Sequence, residues 1–225
     1  MSRQRGLQAL ALATALALGG CASASSEQQA EVRRLQARAA YERGLSHLDK
    51  REAAPALAAI QEAISIDGTV PVYWNALGWI YLQLGHPDVA YRAFSRAVEL
   101  DGTWAEAQLN AGVALAEMGR WEEALAAYRK TLNIPGLSTP HSAYQNMGVA
   151  FYNLKRYGEA EEALRFAIGL EPKLTAAYYH LGLVLAATGR PEAAKGLFRK
   201  ARDLAPQSPF GAAAVGQLKA LGEGG

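Results

Sequence analysis

The 225-residue sequence holds a single cysteine, Cys21, and the lack of a second thiol excludes an intrachain disulfide and any multi-cysteine metal site. Histidine is nearly as scarce. His47, His86, His141 and His180 stand in four separate stretches, none with a second histidine or a carboxylate pair at three- or four-residue helical spacing. No metal site is therefore expected, and structural or solvated roles are assigned to all four. Glycine-rich phosphate loops and serine nucleophile elbows are also missing. The acids Asp49, Glu122, Glu123, Glu159, Glu161 and Glu162 read as first-turn or surface residues of helices. These gaps predict no catalytic residues, no cofactor and no small-molecule substrate. An excess of one charge is lacking too: the formal charge is +2, and once Arg3 and Arg5 are set apart the remaining basic residues balance the 21 acidic ones. Nucleic acid is not implied as a partner.

Long apolar runs are confined to one, Leu7 to Leu18, which follows the basic start Arg3 and Arg5 and ends at Gly19 and Gly20. It falls short of the roughly 20 residues that a bilayer-spanning helix needs, and its form is that of a secretory leader over residues 1–20. The stretch Leu18-Gly19-Gly20-Cys21 resembles a bacterial lipobox. That resemblance implies cleavage before Cys21, a diacylglycerol thioether on its sulfur and an acylated amine (palmitate or a similar chain). Acyl chains contribute roughly 0.8 kcal/mol per buried methylene, and two or more give stable anchoring. The competing reading is a plain leader with an incidental cysteine. Ala22 rather than Asp after the cysteine leans toward the outer membrane, on its periplasmic face. Residues 21–36 then form a lipid-anchored tether and the start of an N-terminal helix, with Ala22 to Gln29 polar and flexible and Glu27 to Ala40 turning helical.

What the sequence does have is periodicity. Gly44, Gly78, Gly112, Gly148 and Gly182 stand 34, 34, 36 and 34 residues apart. Twelve residues after each comes Ala56, Ala90, Ala124, Ala160 or Ala194, then the bulky Ile60, Phe94, Tyr128, Leu164 or Phe198. Ala63, Ala97, Thr131, Ala167 and Ala201 close the pattern. Five registered copies resemble the tetratricopeptide repeat, with Trp74, Leu77, Gly78, Tyr81, Ala90, Phe94 and Ala97 the fullest one. The resemblance implies an all-α fold: a right-handed superhelical solenoid of five helical hairpins (residues 37–70, 71–104, 105–140, 141–174 and 175–208). One hairpin cannot cover its own apolar face, so stability comes from stacking neighbours. Phe210, Val215, Leu218 and Leu221 in residues 209–225 are spaced to form a C-terminal capping helix.

Turn residues agree with that division. Gly85-His86-Pro87, Gly119-Arg120-Trp121 and Gly189-Arg190-Pro191 each place a glycine at a helix end, and two place proline in the next first turn. The 36-residue interval takes its extra length in Asn133 to Pro140, where the second helix of the third repeat should end early and Thr139 can cap the next. It is either a tolerated surface insertion or an offset that reshapes the binding surface.

In this repeat family the first helices line the concave face, and the register assigns its inward positions. Tyr41, Leu45 and Leu48 come from the first repeat, Trp79 and Leu82 from the second, Leu109 and Val113 from the third. Val149 and Tyr152 follow from the fourth, Tyr179 and Leu183 from the fifth. The row is apolar and aromatic, with Asn75, Glu117, Gln145 and Asn153 between. Such a groove suits an amphipathic helix or an extended apolar segment of a protein partner. The competing reading makes these side chains interhelical core, or covers them with the N-terminal helix. Tyr41 and Leu45 occupy places where chaperone-tail binders carry Lys and Asn, which argues against that use.

A lipobox followed by these repeats, the opening Ala39-Ala40-Tyr41-Glu42-Arg43-Gly44-Leu45, and a lengthened proline-containing link before Tyr144-Gln145-Asn146-Met147-Gly148-Val149 together resemble the type IV pilus pilotin family (PilF, PilW and Tgl). The resemblance implies an outer-membrane lipoprotein whose groove holds a segment of the pilus secretin and promotes its assembly and insertion. Longer members continue with a sixth hairpin where this chain has only residues 209–225. The alternative class is a general periplasmic scaffold or adaptor lipoprotein for cell-wall enzymes or outer-membrane assembly machinery.

Overall fold

The computed structural model describes residues 26–223 with their side chains and, over 2–25, only the course of the chain. The leader and Cys21, and with them the lipid anchor, lie outside the fully described residues. Eleven helices and no strand occur among the described residues: α1 (Ser2–Asp49), α2 (Ala53–Ile66), α3 (Pro71–Gln83), α4 (Pro87–Leu100), α5 (Ala105–Glu117), α6 (Trp121–Leu132), α7 (Pro140–Asn153), α8 (Tyr157–Leu170), α9 (Thr175–Ala187), α10 (Pro191–Leu204) and α11 (Pro209–Ala220). None of the searched helices is long and apolar enough to cross a membrane. The chain forms two compact units, Met1–Leu77 and Gly78–Gly225, with the boundary inside α3.

In the first unit the end of α1 packs on α2 through small residues. Ala37, Ala40, Ala56 and Ala63 are fully buried, and Ile60 fills the space over Gly44, whose added Cβ would lie 2.6 Å from the Ile60 side chain. Tyr73 closes the cluster against Tyr41, their rings 5.0 Å apart. Residues 26–36 are helical throughout and exposed: the helix expected from Glu27 is present and runs through Gln29, where the flexible stretch was expected to end. The physical reason is composition, since Glu, Gln, Ala, Arg and Leu dominate the segment and each favours the helix.

The second unit is built on one contact repeated. A Cβ added to Gly78, Gly112 or Gly182 would stand 2.5 Å from a ring carbon of Phe94, Tyr128 or Phe198, and Gly148 faces Leu164 in the same way. Any larger residue there would push the two helices of a hairpin apart, which is why glycine and the bulky residue recur in register. Those bulky residues and the alanines on either side form the core. Successive first helices, α5 with α7 and α7 with α9, approach each other more closely than the second helices α6, α8 and α10 do. The first helices therefore lie on the inside of the curve.

Helix ends use the backbone more than side chains. Gly85, Gly119 and Gly189 adopt positive φ of 74°, 71° and 76° between first and second helices, and the matching positions hold Arg51 and Lys155, both at 60°. That conformation lets His86, Arg120, Arg156 and Arg190 donate their N–H groups back to carbonyls of the preceding helix. The early end of α6 at Leu132 follows the proline-containing link. Thr139 stands at the start of α7 with Pro140 in its first turn, but its hydroxyl makes no capping bond, because its ψ of 55° is not the extended cap geometry. Ser208 does cap: its Oγ accepts from the Gly211 N–H at 3.0 Å and starts α11.

Candidate functional site

The first helices of the second unit arise from segments with almost no charge. Glu106 and Glu117 on α5 are their only acids, and no lysine or arginine occurs in residues 78–83, α5, α7 or α9. The side chains that the register assigned to the inner face are left partly in solvent. Leu82, Leu109, Val113, Val149, Tyr152, Tyr179 and Leu183 are half-buried, and Trp79 is 39% exposed while its ring meets Phe94 edge-on. None is sealed in the core, in contrast to Phe94 and Phe198 at 0%. Tyr41, Leu45 and Leu48 belong to the first unit, where Tyr41 and Leu48 are half-buried and Leu45 exposed.

Between α5 and α7 this face opens into a hollow of about 360 Å³ lined by Val113, Ala116, Glu117, Gly119, Trp121, Tyr128, Asn146 and Val149. Trp121, Asn146 and Tyr128 were not among the residues that the register assigned to the groove. A signal for Tyr128 was present, because at its position the other repeats carry Ile60, Phe94, Leu164 and Phe198, none with a hydroxyl. Burial of the Tyr128 phenol raises its pKa, and the nearby Glu117 carboxylate adds to the effect. Glu117 itself makes no ion pair with any described residue. Arg120, three residues on, is turned onto Glu123 and over the Tyr91 ring, and Arg156 is held by Glu159 and by Glu122 at 3.1 Å.

A second hollow, about 390 Å³, lies on the other side between α4 and α6, over Gln108 and Ala111 of α5. Gln108 stands there where three of the other repeats carry the larger Trp74, Tyr144 or Tyr178 and the first carries Ala40. Its acids are already paired, Glu99 with Arg96 and Glu123 with Arg120.

At the far end α11 covers the last hairpin. Phe210 meets both Tyr179 at 5.7 Å and His180 at 5.3 Å. Burial there lowers the His180 pKa to about 4, so the ring is neutral at pH 7. The remaining histidines stand apart from one another, and no group of three or more His, Cys, Asp or Glu able to hold a metal occurs among the described residues.

Stacked helical hairpins with a half-exposed apolar row on their first helices define a repeat protein built for binding other polypeptides. The chain belongs to the tetratricopeptide-repeat family, whose profile matches residues 75–137 and 146–209. Its fold is similar to the crystal structure of PilW, a widely conserved type IV pilus biogenesis factor, with a TM-score of 0.75 over 83% of this chain and 86% of that one, at 23% identity. PilF of Pseudomonas aeruginosa superposes with a TM-score of 0.67 over 86% of this chain and 95% of that one, at 20% identity. MamA from Desulfovibrio magneticus RS-1 does so at 0.66, covering 77% and 97%, with 19% identity. At these identities the likeness is one of fold. A human relative, the protein O-mannosyl-transferase TMTC2, is 35% identical over 98 residues, which are 43% of this chain and only 12% of that protein.

Proposed function

We propose that this protein is an outer-membrane lipoprotein, anchored through Cys21, that grips a segment of the type IV pilus secretin on the inner face of its repeats and promotes secretin assembly and insertion. The observation that carries the reading is the apolar row of Trp79, Leu82, Leu109, Val113, Val149 and Tyr152, left half in solvent on first helices that hold no basic residue. Covering such a row is favourable by roughly 25 cal/mol per Å² of apolar surface removed from water, less the cost of ordering the segment. The fold-level likeness to PilW and PilF and the lipobox-like Leu18-Gly19-Gly20-Cys21 favour the pilus over other destinations. The chain acts by binding and carries out no catalysis itself.

Deletion of the gene tests this. Surface pili and secretin multimers resistant to denaturing gels should disappear while secretin monomer persists, and Val149→Asp in the groove should reproduce the loss. Unchanged multimers would exclude the pilotin role. A defect in envelope integrity or peptidoglycan instead would favour a general adaptor lipoprotein, a class consistent with the spread of the fold among proteins as different as MamA and TMTC2. For the anchor, Cys21→Ala should leave a folded protein missing from the outer membrane, and normal amounts there would exclude lipidation.

A further inference from the structure

The hollow between α5 and α7 has apolar walls and one charged group, Glu117, at its rim. Three facts make that carboxylate unusual. It has no cationic partner among the described residues, although most acids of the second helices are ion-paired. It is the last residue of α5, at the end of the helix where the dipole favours a cation rather than a carboxylate. The equivalent positions of the other first helices in this unit are neutral: Gln83, Asn153 and Ala187.

The surrounding groups fit a particular guest. Val113, Ala116 and Val149 line it with apolar surface that suits an aliphatic stem, and Trp121, an aromatic residue of the kind that attracts cations, lines it too. Glu106 lies on the same side of α5, eleven residues before Glu117 and roughly 16 Å along the axis. With no lysine or arginine on any first helix of the unit, the only formal charges those helices bring to this face are the carboxylates Glu106 and Glu117. We infer that the hollow selects a lysine or arginine side chain of the bound segment, its stem against Val113 and Val149 and its charged head on Glu117. The partner segment is thus apolar with at least one basic residue, rather than uniformly apolar.

This inference rests on the groove-binding reading, and one experiment separates the two. A random twelve-residue peptide display library is selected against the full chain in detergent, and the winning peptides are titrated against variants. Winners should pair apolar residues with a lysine or arginine, should bind Glu117→Gln roughly tenfold more weakly, and should lose much of that difference at high salt. Selection against Glu117→Lys should return acidic peptides instead. Melting of Glu117→Gln at or above the parent temperature shows that the fold is intact. Winners without a basic residue, or equal affinity for Glu117→Gln, would overturn the inference while leaving the groove in place. If no peptide is selected, or the winners bind Val149→Asp unchanged, the groove reading fails and the inference with it.

Discussion

Within the second unit, α5, α7 and α9 show Glu106 and Glu117 as their only carboxylates and no lysine or arginine. Their partners α6, α8 and α10 carry Glu122, Glu123, Arg129, Lys130, Glu161, Arg165, Lys195 and Arg199 among others. Both sets of helices bury one side in the same core, through contacts such as Gly182 against Phe198. They differ in what they leave outside. The second helices cover their outer faces with charges that mostly find partners, including Arg190 with Glu161 at 2.6 Å. The first helices leave apolar side chains in water, which stability alone does not favour. The contrast separates residues that hold the hairpins together from residues kept for something else.

The strongest way to break that contrast is to delete from each side. Phe198→Ala, in the core, should destabilise the unit by about 3–5 kcal/mol in denaturant unfolding. Val113→Ser, on the open face, should cost less than about 1 kcal/mol yet abolish partner binding. A comparable loss of stability from both would mean that the open row is structural.

A smaller effect comes from the capped end. His180 has its folded pKa lowered to about 4 from an ordinary value near 6.5, so the unfolded chain binds the extra proton between those values. Stability should be fully present above about pH 6.5 and fall as the pH drops toward 4, by on the order of 2–3 kcal/mol. His180→Phe, which keeps the contacts with Tyr179 and Phe210, should flatten that part of a melting profile. A slope that survives between those values would place the sensitivity outside His180, whereas Asp67 and Asp101 act only below about pH 4. Bonds from Thr69 and Thr103 hold those carboxyls below the usual range, and protonating them in acid removes the benefit.

Turns sharpen the comparison between repeats. Lys155 stands at φ 60° where Gly119 and Gly189 stand in the equivalent turns. Lys155→Gly should therefore stabilise the fourth hairpin by about 1 kcal/mol, read as a rise in melting temperature. Least affected should be Arg156→Ala: its links to Glu122 and Glu159 are surface ion pairs, and their loss should cost under about 1 kcal/mol and vanish at high salt.

Much of this architecture was legible because the tetratricopeptide pattern writes packing directly into spacing. Glycine, alanine and a bulky residue at fixed intervals locate the hairpins, and the proline-containing link announces the early end of α6. Other features depend on neighbours distant in sequence. The bonding role expected of Thr139 failed on one backbone angle, and Ser208 took a capping role that no periodicity marks. The hollow was hidden for a related reason. Trp121 and Tyr128 look like turn and core residues along the chain, and only the approach of α7 makes them the wall and floor of a site with Glu117.

The sequence by itself determined the repeat, its register, the number of hairpins and the kinds of side chain each face carries, because these follow from local spacing and the size of single residues. Tertiary structure alone decided which faces stay open and where a cavity forms. It also decided that burial beneath Phe210 lowers the His180 pKa, while Glu117 is left without an ion-pair partner among the described residues. Solvent exposure and electrostatic pairing belong to groups of residues brought together from different helices, and no single stretch of chain contains them.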